Sequence, residues 1–297
     1  DISHFPATLS VINLYKQKVD DTVNFPRVTR KDFFTLNPKQ KIIFPDNTDI
    51  DKINKVSIPK FDAIISNFPF IQQEDIPKEE LNDYFKNEFG ESQNAFLVGS
   101  RFDINGKSDY YIYCFYNSLK FLKSNGILSA ITSNAWLGKN YGIQFKKFLL
   151  DNFHIKYVVR SKAEHWFKDS KVSTIFLTLE KGKVDAPTKF ITINDKLENL
   201  FFNEGLQQFE DFYTEIENCN NSGYLNWEED KQFPNLYHKI DGTISVSVVD
   251  KSVLVNSLSS QENWAIYFVS HNPLAIFEER EQVGIKCILF LMKKTNL

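Results

Sequence analysis

Between residues 62 and 180, apolar runs of strand length alternate with segments of helical period, and few architectures accept that alternation. The first run, 62–66, centres on Ala63-Ile64-Ile65, a continuous apolar stretch of the kind a strand buried on both faces needs. Further strands are predicted at 127–132, 154–160 and 172–180, the last closed by Lys181-Gly182-Lys183. Helices are predicted at 4–18, 78–89, 108–123 and 141–152, with Asn125-Gly126 ending the third. Residues 27–30 read as a short strand ending at Asp32-Phe33, and 34–60 as a long polar surface connection. The pattern predicts an α/β fold with a doubly wound, mostly parallel sheet covered on both faces, which binds ligands beyond the carboxyl ends of its strands.

Past Lys183 the rhythm changes. Strands are expected at 190–193 and 243–249, with a polar break at 218–222, while 282–297 resists assignment. Three segments are expected: a catalytic α/β unit over 1–183, a connecting segment over 184–230, and the start of a recognition region over 231–297.

With 297 residues, 42% hydrophobic and 25% charged, the chain has an ordinary globular composition and enough length for a full core. Its net charge of -3 excludes the chain-wide basic coat that dominates non-specific nucleic-acid binding, so any such contact must be local. The five arginines, Arg27, Arg30, Arg101, Arg160 and Arg280, are scattered. Cys114, Cys219 and Cys287 form neither a disulfide framework nor a zinc-ligand pattern, which fits a reducing cytoplasm. The apolar run 287–292 is too short to span a bilayer, and no signal peptide is visible. The chain opens on Asp1 in mid-pattern instead of Met, which reads as a piece of something longer.

Chemistry concentrates at 61–70, Phe-Asp-Ala-Ile-Ile-Ser-Asn-Phe-Pro-Phe. The strand stops at Asn67 and turns through Pro69 between two rings. An amide, a proline-bent backbone and an aromatic face can grip a planar exocyclic amine while its ring is stacked. The plainer reading is a strand running into a loop capped by a core aromatic.

This stretch resembles motif IV of the amino-group (N6-adenine) DNA methyltransferases, usually Asn-Pro-Pro-Tyr or Asn-Pro-Pro-Phe after a buried strand. Phe68 replaces the first Pro. In that family the position contributes its backbone carbonyl, so the resemblance implies a less rigid loop with its chemistry intact, Pro69 still holding Phe68 extended. Other stretches are similar to motifs of the same family, in the same order. Asp1-Ile2 before Phe5-Pro6-Ala7 looks like motif II, whose acid takes the cofactor's ribose hydroxyls. Asp32-Phe33 looks like motif III, where carboxylate and ring hold the cofactor's adenine; a turn cap is the plain alternative for Asp32.

Ser108-Asp109-Tyr110-Tyr111-Ile112 resembles motif V, a wall of the cofactor site, and the run from Gly126 to Leu137 resembles motif VI. His165-Trp166-Phe167, continuing to Thr174, resembles motif VIII, where Phe167, or Trp166 as the alternative, stacks on the flipped base. The continuation Ile71-Gln72-Gln73-Glu74 is similar to long adenine methylases fused to restriction enzymes, with Gln72 in place of Arg.

The resemblance covers roughly 1–183 and implies a methyltransferase fold of the S-adenosylmethionine-dependent type with its first strand missing, since no glycine-rich motif I is present. It implies S-adenosylmethionine as cofactor, with Asp1, Ile2, Asp32, Phe33, Asn67 and Asp109 contacting it. Asn67, Phe68, Pro69 and Phe70 would form the catalytic loop, with Phe70 and Phe167 as the stack. No metal is implied. The implied partners are double-stranded DNA and a fused or separate restriction or specificity subunit, with no membrane. The alternatives are a transferase acting on cytosine N4 or a protein glutamine amide, or a non-catalytic DNA-binding or assembly remnant of a restriction-modification system.

Overall fold

The computed structural model describes residues 3–16, 27–45, 52–76, 81, 107–167, 173–194, 196, 213–214, 216–219, 236–240 and 244–268. The expected helix at 78–89 (except Leu81, which is helical) and the segment 282–297 lie outside them, as do Asp1 and Ile2.

Seven strands form one sheet in the order β3 (Phe61–Asn67), β4 (Leu122–Ser133), β6 (Thr174–Lys181), β5 (Phe153–Ser161), β7 (Thr188–Ile193), β9 (Ile244–Val249) and β8 (Leu236–Ile240). β3 pairs parallel with β4, and β5 with β7, while β6 and β9 run against both of their neighbours. Five of the seven strands therefore share one direction, so the sheet is mostly parallel, as expected, with β6 and β9 the two reversed strands. β6 runs antiparallel to β5, and among the described residues between them there is no helix of the kind a parallel crossover uses. β7, β9 and β8 continue this sheet beyond Lys183.

A separate hairpin pairs β1 (Lys41–Pro45) with β2 (Ile53–Ser57), from Lys41 opposite Ser57 to Pro45 opposite Ile53. It occupies what reads by sequence as a surface connection, because the polar residues between two short apolar strands dominate the pattern there. Residues 27–30 form no strand. Instead Asp32 accepts a hydrogen bond from the Phe34 N–H at 2.9 Å and starts a 3-10 turn over Phe33–Thr35.

α1 (His4–Lys16) buries none of its side chains. α2 (Tyr110–Leu119) links β3 to β4 and is buried along nearly its whole length, as expected of a helix apolar on every side. It stops at Leu119, ahead of the expected end at 123. The Lys181 ammonium donates to the carbonyls of Leu119 and Leu122 at 2.8 and 2.9 Å, supplying the last turn with a cationic partner. Asn125, with φ 60°, bends the opening of β4 and does not cap the helix.

α3 (Gly142–Asn152) packs on α2 through Tyr116 stacked on Phe148 at 3.7 Å and Phe115 edge-on to Phe145 at 5.2 Å. With α4 (Lys251–Ser259) these helices share one core with Leu128, Ala130, Ile175, Leu177, Leu179 and Phe190 of the sheet. On the opposite face, Ile191, Val246 and Val248 pack with Ile216 and Cys219 in a smaller cluster.

β3 departs from expectation. Among the described residues Phe61, Ala63, Ile65 and Asn67 are exposed, Ile65 by 83%, and the strand is an edge of the described sheet. An apolar run shows that a strand can be buried; only neighbours on both sides make it so.

Candidate active site

The carboxyl ends of the parallel pair β3 and β4 open onto a cavity of about 610 Å3. Its walls come from Phe70 and Gln72 after β3, Asp109 and Tyr111 at the start of α2, Ser133 at the end of β4, and Tyr141 just before α3. Glu74 faces it with Lys107 and Lys139, so its charge is mixed. A hydrogen bond from the Tyr110 N–H to the Ile71 carbonyl (3.1 Å) ties the loop after Asn67 to α2 and sets Phe70 beside Asp109.

Asn67 is exposed at the end of β3. Phe68 turns its ring into the core, 6% exposed and edge-on to Phe115 at 5.1 Å. The loop thus gains an anchor that a proline ring does not reach, so the expected loss of rigidity is offset by packing. The Phe68–Pro69 peptide is trans, and among the described residues no backbone N–H donates to the Phe68 carbonyl. Phe70 meets Phe167 with ring centres 5.7 Å apart at 71°, two residues almost a hundred positions apart in sequence. The Trp166 indole N–H is buried with no partner among the described residues.

The other candidates are dispersed. Phe33 stacks on Phe121 at 5.6 Å and lines a second, mainly apolar cavity of about 310 Å3 with Ile64 and Phe61. Asp32 beside it caps its turn through Oδ1. That bond fixes the carboxylate's direction and leaves Oδ2 outside the cap. The structure therefore joins Phe70, Asp109 and Phe167 at one place and keeps Phe33 at another.

Sequence reasoning missed Tyr141. Its hydroxyl donates to Asp109 Oδ2 at 2.8 Å and lies 3.2 Å from the Tyr111 hydroxyl. Burial, with the Asp109 charge adding to it, raises the Tyr141 phenol well above its ordinary value, so it stays a neutral donor. Gly142 makes the turn possible, because a Cβ there would sit 1.9 Å from the Trp136 carbonyl oxygen. The adjacent Tyr-Gly pair is the only trace of this in the sequence. Among the described residues no His, Cys, Asp and Glu side chains cluster as metal ligands, and no helix is long and apolar enough to cross a membrane.

The mixed sheet with its site at the carboxyl ends of β3 and β4 defines a nucleotide-type α/β scaffold. The sequence profile of the Eco57I restriction-modification methylases matches residues 1–167, more than half of the 297, and the chain belongs to that family. It is 30% identical over 101 residues to the type II methyltransferase M.BstVI of Geobacillus stearothermophilus, covering 34% of this chain and 16% of that protein. It shares a fold with the type IIG restriction endonuclease BpuSI, with a TM-score of 0.53 and 15% identity over 80% of this chain and 22% of that one. The chain thus spans well under a third of either relative.

Proposed function

We propose that this chain carries the catalytic loop of a site-specific DNA methyltransferase of a restriction-modification system, moving a methyl group from S-adenosylmethionine to adenine N6 in the cytoplasm. The observation that carries the reading is the meeting of Phe70 and Phe167 at 5.7 Å beside Asn67, in a chain of this family. Two rings brought together from distant positions at the end of a strand that stops at an amide are the parts needed to hold a base taken out of its duplex.

On this reading the Asn67 side-chain oxygen and the Phe68 carbonyl accept the two N6 hydrogens. The nitrogen lone pair then leaves conjugation with the ring and faces the methyl donor. Phe70 and Phe167 close on either face of the base. In the structure they touch edge-on, and admitting a base requires parting them to roughly 7 Å, two van der Waals contacts. S-adenosylmethionine would supply the methyl group as a sulfonium, with Asp32 and Phe33 at its adenine, Asp109 as a further wall, and Asp1 and Ile2 at its ribose. The carboxylate of Asp32, pinned by one oxygen and open at the other, has the acceptor chemistry an adenine amine requires. The chain's own contribution is positioning and stabilisation of the amine as it becomes positive; the N–C bond would form as the sulfonium–methyl bond breaks to leave a neutral thioether, and the amine's extra proton would then pass to water. A fused or separate specificity subunit would choose the DNA sequence, since base contacts lie outside this loop.

The test is transfer of tritiated methyl groups to mixed-sequence DNA by the longest open reading frame that contains these residues, followed by digestion to nucleosides. Label in N6-methyladenine supports the proposal. Label in N4-methylcytosine or in protein, or none, refutes it.

A further inference from the structure

A hydrogen-bond relay that no motif of the sequence names ends on Asp109. A phenol has one hydrogen. Tyr141 uses its own on Asp109 Oδ2 at 2.8 Å, so across the 3.2 Å contact the Tyr111 hydroxyl must be the donor and Tyr141 the acceptor. The order is Tyr111 to Tyr141 to carboxylate, each bond polarising the next. Its far end is firmly set, because Tyr111 is buried.

The receiving group is displaced from its usual work. Asp109 occupies the N-cap of α2, where an aspartate ordinarily accepts the free N–H groups of the first turn, yet its side chain makes no cap hydrogen bond. The carboxylate is instead held by Tyr141 on the wall of the 610 Å3 cavity that Phe70 also lines. A helix gives up a cap and leaves first-turn N–H groups to other partners, an arrangement that orients the acid toward the cavity.

We propose that Tyr141 is a positioning residue, which through this relay aims the Asp109 carboxylate at the amino group of an adenine ring lying against Phe70. The inference rests on the proposed function, which brings adenine rings to this site. The ring has two sources, and its amine has two hydrogens: at the cofactor's adenine Asp109 would take the one that Asp32 leaves, and at a DNA base it would stand in for one of the two acceptors of the loop, Asn67 or Phe68.

The experiment compares the wild type with Tyr141→Phe, which removes one oxygen and keeps the ring, in the longest reading frame containing the chain. In one arm, calorimetry measures binding of S-adenosylhomocysteine and of its analogue lacking the 6-amino group. In the other, fluorescence anisotropy measures a single-stranded oligonucleotide with one adenine and its counterpart with unsubstituted purine at that position. The wild type should prefer the amino form by about tenfold in one arm, the scale of a hydrogen bond to a charged group, and Tyr141→Phe should erase most of that preference while binding the amino-free probe unchanged. The arm in which this happens identifies the source of the ring.

A merely structural hydroxyl would shift both probes together. If the wild type prefers the amino form and Tyr141→Phe keeps that preference, the proposal is overturned and the proposed function stands. If the wild type prefers neither form in either arm, adenine does not bind here and both readings fall. Should Tyr141→Phe melt too early to assay, Tyr111→Phe, which leaves the Tyr141 bond to Asp109 in place, carries the same test with a smaller drop.

Discussion

Phe68 divides its backbone from its side chain: the ring belongs to the core against Phe115, while the carbonyl remains in the loop beside Asn67. Restoring the family's residue with Phe68→Pro would fix φ but empty the ring's place. It should destabilise the fold by about 3 kcal/mol or more, in the range of large-to-small aromatic losses, as read by urea denaturation. Unchanged stability would mean that the ring is not packed in solution. On the proposed reading Asn67 touches the substrate amine, so Asn67→Ala should cut methyl transfer at least about a hundredfold, the scale of losing one positioned polar group, with cofactor affinity little changed. Asp32→Ala should do the reverse and weaken cofactor binding first. Equal cofactor affinity for the wild type and Asp32→Ala would remove Asp32 from the cofactor site.

At the scale of elements, β4, β5 and β6 and the helix before β5 were legible because each is a long run with one dominant period. The reversal of β6 was not, since periodicity carries no sign and strand direction depends on how the chain returns from β5. The hairpin β1–β2 escaped notice because its apolar residues are few and its neighbours polar. At the site, Phe70 and Asp109 could be named from local patterns, whereas Tyr141 reaches Asp109 across 32 residues and Lys146 reaches Glu262 across 116, contacts that only tertiary structure creates. Lys146, 2% exposed, joins elements in this way: its Nζ donates to the carbonyls of Leu137 and Glu262 at 2.6 and 2.8 Å and lies 5.2 Å above the Trp264 ring. It clamps the turn after α4 onto the segment that leads to Tyr141. Burial lowers its pKa to about 7, against a smaller opposing effect of Glu262. A neutral amine keeps two N–H groups, enough for both carbonyls. The unfolded chain holds the proton to about 10.4, so from roughly pH 7 to 10 the unfolded state binds more protons and stability rises with pH. The advantage of the wild type over Lys146→Met should therefore grow by on the order of 2 kcal/mol between about pH 6.5 and about pH 9 in denaturant titrations. A constant difference would show that Lys146 remains charged in the folded protein.

For the molecule as a whole, the strand that carries Asn67 is also the edge of the described sheet. Its inner side pairs with β4 from Ala63 to Asn67, while its outer side presents backbone N–H and C=O groups to no described strand. Edges of this kind are usually protected by a lysine, a proline or a bulge along their length. β3 has an irregular register between Phe61 and Ala63, Asp62 near its start, and Pro69 beyond its end, but Ala63-Ile64-Ile65 between them carry no charge. A short apolar edge strand without a gatekeeper is a template for pairing with another copy of itself. Ile65→Lys should therefore reduce self-association of the chain at tens of micromolar, read by sedimentation velocity, and leave the melting temperature unchanged, because a side chain 83% exposed contributes little to packing. A lowered melting temperature instead would mean that Ile65 is covered in solution and β3 is an inner strand of a wider sheet. Unchanged self-association would place the sticky surface elsewhere, with the exposed apolar side chains of α1, Phe5 and Leu9 among them, as the next to substitute.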